Sequence, residues 1–152
     1  MIALKPTVLL VDNDDGLLSA LAFRLQAAGM RCISAHSGTQ ALAELKHLDV
    51  DLLITDLNMP CGDGVSLVET FRRICNAPVI VITGFSAQLN EDWLAEQAAT
   101  VIEKPFESGE LVRAASDMLH TTVNRNEQCI KPKCTLGIHG VDERSYEHRA
   151  DH

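Results

Sequence analysis

Five polar residues that could take part in phosphoryl chemistry stand at the ends of apolar stretches of this sequence. Asp12 and Asn13 follow VLLV, Asp56 follows LLIT, Thr83 ends VIVIT, and Lys104 follows TVIE. Carboxylates held close together repel one another, and a hard divalent cation such as Mg²⁺, which prefers oxygen ligands, would offset that repulsion. A hydroxyl and an ammonium beside the metal would bind phosphate oxygens. If the fold gathers these residues, they predict a site for phosphoryl transfer.

The elements that would gather them are five short apolar runs separated by segments with helical spacing. The strands are predicted at 7–11, 31–35, 51–55, 78–83 and 100–103. The helices are predicted at 17–28, 37–45, 64–74, 90–98 and 107–119. Regular alternation of strand and helix predicts an α/β domain with a parallel sheet and right-handed crossovers. Ligand sites in such sheets lie at the carboxyl ends of the strands, where the polar residues stand.

The ordered set of motifs resembles the receiver domain of two-component response regulators, the CheY-like superfamily. The resemblance covers residues 5–121 and rests on the DN pair after the first strand and on LLITDLNMP, VIVITG and KPF. It implies a flavodoxin-like fold, a doubly wound five-stranded parallel sheet of strand order 2-1-3-4-5. It also implies a cis peptide bond between Lys104 and Pro105.

The resemblance implies that a sensor histidine kinase or a phosphotransfer protein passes a phosphoryl group to Asp56. Thr83 and Lys104 would then bind phosphoryl oxygens. The implied Mg²⁺ ligands are Asp12, Asn13, Asp56 and the backbone carbonyl of Asn58. The chain would be a phosphoacceptor signalling domain rather than an enzyme, assisting only its own phosphorylation and dephosphorylation. Its output would be contact with another protein through the fourth helix, last strand and last helix, with Trp93 as a candidate contact.

Two residues depart from the pattern of the family, and a third stands at a position that affects hydrolysis of the phosphoryl group in the family. Asn13 stands where the family often has a second acid, so we expect weaker Mg²⁺ binding. Asp14 or Asp15 could supply the missing charge, although both are expected as turn or cap residues. Val101 stands where the family often has an aromatic that moves inward on activation, and its short β-branched side chain cannot make that movement. Phe85, directly after VIVITG, could shield the acyl phosphate from water or pack against the fourth helix.

Two other interpretations remain open on the sequence alone. The stretch VDNDDG also resembles the first motif of haloacid-dehalogenase-type phosphohydrolases, in which Asp12 would be the nucleophile and Asp14 a general acid–base. That family needs a further strand with metal-binding acids after the lysine. The residues beyond Lys104 do not suggest such a strand, and this interpretation leaves Asp56 without a role. The third interpretation is a phosphate-independent interaction module with a receiver-like fold.

Length, charge and composition set the remaining expectations. A chain of 152 residues accommodates one domain and a tail, and the tail at 122–152 is expected to be disordered because it lacks hydrophobic periodicity. Residues 1–119 carry the whole net charge of −8, which argues against nucleic acid as a partner. No apolar run is long enough to span a bilayer, and no signal peptide is recognisable, so a membrane association is not expected and a cytoplasmic location is.

Cysteine usage agrees with a reducing compartment, because five cysteines without a secretory signal indicate free thiols. In the tail, Cys129 and Cys134 with His139 and His148 form a zinc pattern whose spacing is too loose to be specific. No DNA-binding or enzymatic domain fits into so short a tail. A stand-alone regulator or a relay intermediate is therefore expected, and a homodimer is a further assembly that the resemblance allows.

Overall fold

Strands and helices alternate regularly through residues 5–59, 63–84 and 89–126, the ranges that the computed structural model describes. The strands are β1 (Thr7–Val11), β2 (Arg31–Ala35), β3 (Leu52–Asp56), β4 (Val79–Thr83) and β5 (Ala99–Glu103). The helices are α1 (Asp15–Ala27), α2 (Gly38–Leu45), α3 (Asp63–Ile74), α4 (Glu91–Gln97) and α5 (Ser108–Asn126). All five predicted strands and all five predicted helices are present, which confirms the alternating pattern.

The five strands form one parallel sheet of order β2-β1-β3-β4-β5. The doubly wound fold and the strand order that the resemblance implies are confirmed, and the Lys104–Pro105 peptide bond is cis. The register aligns the carboxyl ends of the central strands, because Val11 pairs with Thr55 and Asp56 pairs with Ile82. The residues that follow β1, β3 and β4 therefore share one edge of the sheet.

Helices cover both faces of the sheet. Because side chains alternate along each strand, every strand contributes residues to both faces. Leu9 and Val11 of β1 join the hydrophobic cluster on the side of α2, α3 and α4, whereas Val8 and Leu10 join the cluster on the side of α1 and α5. Strands β1, β3 and β4 are buried along their whole length, as their continuous apolar runs predict. The three strands that support the polar edge are thus fixed by the core.

The start of α1 fixes the turn that carries the acidic residues after β1. Asp14 is the N-cap, and its Oδ1 accepts a hydrogen bond from the backbone N–H of Leu17 at 3.1 Å. Asp15 lies in the first helical turn, where a negative charge interacts favourably with the helix dipole. Its Oδ1 lies 2.6 Å from Nδ1 of His36. Both aspartates are cap or first-turn residues, as predicted.

The end of the last helix was predicted wrongly. Helix α5 continues to Asn126 rather than ending at 119, because residues 120–126 contain no glycine or proline and supply a further apolar residue, Val123, at helical spacing from Leu119. Residues 122–126, assigned to the tail from the sequence, are therefore helical. The remaining tail, including its cysteines and histidines, lies outside the described residues, and the domain boundary at 121 stays a prediction.

The elements after β5 and the apolarity of the helices bear on two further expectations from the sequence. Within the described ranges no strand follows β5, whereas the phosphohydrolase interpretation requires one. None of the helices described is long and apolar enough to cross a membrane.

Candidate functional site

Two aspartates and a lysine meet at the carboxyl edge of the sheet, and we call them the carboxylate cluster (Asp12, Asp56 and Lys104). Asp12 is 2% exposed and Asp56 is 3% exposed. The Nζ of Lys104 donates to Oδ2 of Asp56 at 2.9 Å and lies 3.8 Å from Oδ2 of Asp12. One ammonium group therefore faces two buried carboxylates, as expected from their positions at the ends of β1, β3 and β5.

Backbone and side-chain donors fix the orientation of these carboxylates. The N–H of Asp14 donates to Oδ1 of Asp12 at 2.9 Å, and the N–H of Asn58 donates to Oδ1 of Asp56 at 2.8 Å. The side-chain amide of Asn58 also donates to Oγ1 of Thr83 at 3.1 Å. Thr83 is therefore joined to the loop after β3, and the structure brings it to the same edge as the carboxylate cluster.

The surroundings of the carboxylate cluster shift the pKa values of Asp12 and Lys104 for different reasons. Burial raises the pKa of the Asp12 carboxyl above its ordinary value, and the charge of Asp56 raises it further, although the Asp14 N–H and Lys104 oppose the change. Burial alone would lower the pKa of Lys104, but the hydrogen bond to Asp56 and the charges of both aspartates raise it overall. Lys104 thus stays protonated, while Asp12 is held in an environment that disfavours its charge.

The arrangement suits an additional cation. Oδ2 of Asp12 is buried and has no hydrogen-bond partner among the described residues. An unsatisfied buried carboxylate oxygen is costly, and a bound metal ion would satisfy it. The donors at this edge are carboxylate, amide and carbonyl oxygens, the ligands that Mg²⁺ prefers. The residues present therefore fit the predicted metal.

The cluster supplies few acids for a metal. No group of three or more histidine, cysteine, aspartate or glutamate side chains in the described ranges is arranged to hold a metal ion. Asn13 is exposed beside Asp12, while Asp14 caps α1 and Asp15 faces His36. One oxygen of each neighbouring aspartate is thus engaged away from Asp12, and compensation by Asp14 or Asp15 stays a prediction.

The other residues singled out in the sequence lie away from this edge or outside the described ranges. Val101 and Trp93 are partly buried and pack against the cluster that α2, α3 and α4 cover. Nε1 of Trp93 donates to Oε1 of Glu69 at 3.1 Å, which links α4 to α3. Phe85 lies outside the described residues, so its proposed shielding role stays a prediction.

One residue that supports the site was missed in the sequence. Gly64, near the start of α3, passes so close to β3 that an added Cβ would collide with the carbonyl oxygen of Asp56 and lie 2.6 Å from Cα of Leu57. Only glycine allows α3 to approach the end of β3 in this way. The signal was a glycine inside a helical pattern, which indicates a close approach only when another backbone is known to be near.

Comparison with known proteins agrees with this geometry. A family model described as the response regulator receiver domain matches residues 8–116. The transcriptional regulatory protein GlrR of Escherichia coli K12 is 32% identical over 127 residues, which cover 82% of this chain and 29% of GlrR. The transcriptional regulatory protein CpxR of Klebsiella pneumoniae is 38% identical over 106 residues, which cover 69% of this chain and 45% of CpxR. The chain thus spans less than half the length of these two relatives.

A solved structure gives the same result for the fold. The receiver domain of the Francisella response regulator 1452 superposes with a TM-score of 0.70 at 25% identity, covering 78% of this chain and 99% of that domain. Receiver domains of response regulators take part in two-component phosphorelay signalling. This chain belongs to the family of response regulator receiver domains.

Proposed function

We propose that this receiver domain accepts a phosphoryl group on Asp56, in a Mg²⁺-dependent reaction, from a sensor histidine kinase or a phosphotransfer protein. The observation that carries the proposal is the contact of 2.9 Å between Nζ of Lys104 and Oδ2 of Asp56, beside an Asp12 oxygen that lacks a hydrogen-bond partner among the described residues. The cluster thus contains a phosphoryl acceptor, Asp56, and a fixed positive charge, Lys104. The Asp12 oxygen without a hydrogen bond is available to bind a second cation.

The proposed reaction is an in-line transfer to a carboxylate oxygen. An Asp56 oxygen attacks the phosphorus of a phosphohistidine, the P–N bond breaks with its electron pair left on the imidazole nitrogen, and a P–O bond forms. Lys104 binds a phosphoryl oxygen, and the hydroxyl of Thr83 donates to another. Positioning and charge neutralisation carry most of such a reaction.

The metal would be held by Asp12, the side-chain oxygen of Asn13, Asp56 and the backbone carbonyl of Asn58. When bound, Mg²⁺ would neutralise charge on the carboxylates and on the phosphoryl oxygens. The chain's own contribution is to hold Asp12 and Asp56 in place through the backbone N–H groups of Asp14 and Asn58. This pre-organisation means that neither carboxylate has to turn when the reaction begins.

The direct test is to incubate the chain with Mg²⁺ and acetyl phosphate, trap the acyl phosphate and map it by mass spectrometry. We expect label on Asp56, and none in Asp56→Asn or without Mg²⁺. Asp51→Asn is a matched control, because Asp51 adjoins the amino end of β3, where its Oδ2 accepts from the N–H of Thr7 at 2.7 Å. This control should keep the label.

Other outcomes of the same test separate the alternatives. Label on Asp12 would favour the phosphohydrolase interpretation. Absence of label with acetyl phosphate and also with a phosphorylated histidine kinase domain would favour a phosphate-independent interaction module.

For the output we propose a contact between the surface of α4, β5 and α5 and another protein. Because the curated relatives are named transcriptional regulatory proteins, control of transcription is the second candidate for the process served. Binding of the phosphorylated chain and of Asp56→Asn to a promoter-associated protein fraction and to DNA would distinguish protein contact from direct nucleic-acid binding.

A further inference from the structure

Asn58 contacts both the acceptor and the hydroxyl that the proposed reaction uses, the first through its backbone and the second through its side chain. Its backbone N–H contacts Oδ1 of Asp56 at 2.8 Å, and its carboxamide Nδ2 donates to Oγ1 of Thr83 at 3.1 Å. Asn58 is exposed, whereas Thr83 is 1% exposed. A surface side chain thus reaches into the buried edge and contacts a residue of the neighbouring strand.

This contact restricts the hydroxyl of Thr83. A threonine hydroxyl offers one donor and two acceptor positions, so an N–H that occupies one acceptor position narrows the directions in which the hydroxyl can donate. A hydroxyl that accepts a hydrogen bond also becomes a stronger donor, since bonds in a chain polarise one another. The contact with Asn58 therefore acts on both the direction and the donor strength of the Thr83 hydroxyl.

We infer that the carboxamide of Asn58 is a positioning residue, which holds the hydroxyl of Thr83 in the orientation from which it donates to a phosphoryl oxygen on Asp56. The inference rests on the proposed function. In that function only the backbone carbonyl of Asn58 has a role, as a metal ligand, and the inference adds a role for its side chain. In the group transfer itself Asn58 exchanges no proton. It acts through Thr83 and loses its effect when the hydroxyl is absent.

A double-mutant cycle on the full chain tests this inference. Wild type, Asn58→Ala, Thr83→Val and the double variant are phosphorylated with acetyl phosphate and Mg²⁺, and the rate of labelling at Asp56 is measured. We expect Asn58→Ala to slow labelling about five- to tenfold in wild type, the value of one hydrogen bond, and less than about twofold in Thr83→Val. In Thr83→Ser, which keeps the hydroxyl, Asn58→Ala should retain its full effect.

Three measurements exclude a merely structural role. The melting temperature and the Mg²⁺ affinity of Asn58→Ala, measured by calorimetry, should match wild type, because the substitution leaves the backbone carbonyl in place. Beryllofluoride is a tetrahedral analogue of a phosphoryl group and binds without any phosphodonor. Asn58→Ala should weaken its binding when Thr83 keeps its hydroxyl and should have little effect in Thr83→Val.

The results separate this inference from the proposed function. If Asn58→Ala slows labelling equally with and without the Thr83 hydroxyl, or has no effect in wild type, the inference is wrong although the proposed function stands. If wild type neither becomes labelled at Asp56 nor binds beryllofluoride, the proposed function is wrong and the inference with it.

Discussion

Two polar clusters within the described residues differ in what their charged groups contact. We call the second the arginine cluster (Arg72 and the carbonyl groups of Cys75, Ala77 and Gln97). The guanidinium of Arg72 donates to these three carbonyl oxygens at 2.8 to 3.1 Å, joining the end of α3, the loop before β4 and the end of α4. In the carboxylate cluster, by contrast, two acids share one ammonium, and Oδ2 of Asp12 accepts no hydrogen bond from the described residues.

The difference suggests separate roles, stability of the fold for the arginine cluster and ligand binding for the carboxylate cluster. The planar guanidinium of Arg72 matches several carbonyl acceptors at once, and although burial lowers its pKa, arginine remains charged. All three bonds are made to carbonyl oxygens of the chain itself, so this cluster should serve the fold. The carboxylate cluster is held in place by the core but is incomplete by itself, and it should serve a ligand that brings positive charge.

The largest effect is expected for Lys104→Met. Removing the ammonium deprives the phosphoryl oxygens of a fixed positive charge, and loss of such a group typically slows a reaction about 10²- to 10³-fold. The rate of labelling of Asp56 by acetyl phosphate measures this effect. Lys46→Met, at the exposed C-cap of α2, is the control and should label at the wild-type rate. Equal rates in Lys104→Met and Lys46→Met would remove Lys104 from the proposed mechanism.

The reverse behaviour is expected for Arg72→Ala. Breaking three hydrogen bonds from a half-buried charged group should lower the free energy of unfolding by about 2–4 kcal/mol, as measured by urea denaturation. Labelling of the folded fraction at Asp56 should stay within about twofold of wild type. Arg73→Ala is a matched control, because exposed Arg73 contacts Thr70 Oγ1 at 3.3 Å and its loss should cost under about 0.5 kcal/mol. A large loss of labelling in Arg72→Ala would end the division between the clusters.

The two clusters also differ in how well the sequence predicts them. Asp12, Asp56, Thr83 and Lys104 could be found because each ends an apolar run, and parallel strands bring their carboxyl ends to one edge. Arg72 could not be found, since an arginine near the end of a helix usually lies in solvent, and its acceptors belong to three separate segments. The α/β class could be predicted from the alternation of strands and helices. The strand order was predicted only from the family resemblance, because strand periodicity does not determine which strands are neighbours.

A smaller effect tests the missing acid of the carboxylate cluster. Asn13→Asp restores a second negative charge beside Asp12, and we expect the Kd for Mg²⁺ to fall about tenfold, as one additional close charge pair at a partly exposed site would give. Isothermal titration calorimetry measures the Kd directly. An unchanged Kd would mean that position 13 does not contact the metal. Asp15→Asn is the control, because Asp15 faces His36 and should leave the Kd near its wild-type value.

The smallest effect concerns the pH dependence of stability without metal. Because the folded state raises the pKa of Asp12, protonated Asp12 favours folding, and this contribution is lost as the pH rises through the raised value. Asp12→Asn removes the charge, so in EDTA at pH 7–8 it should raise the melting temperature by a few degrees, or about 1 kcal/mol. The gain should shrink as the pH falls toward the ordinary pKa of aspartate and should reverse in saturating Mg²⁺, which stabilises only the wild type. A gain that persists unchanged at acid pH would show that the charge of Asp12 is not its cause, and that the carboxylate cluster does not destabilise the fold in the absence of a cation.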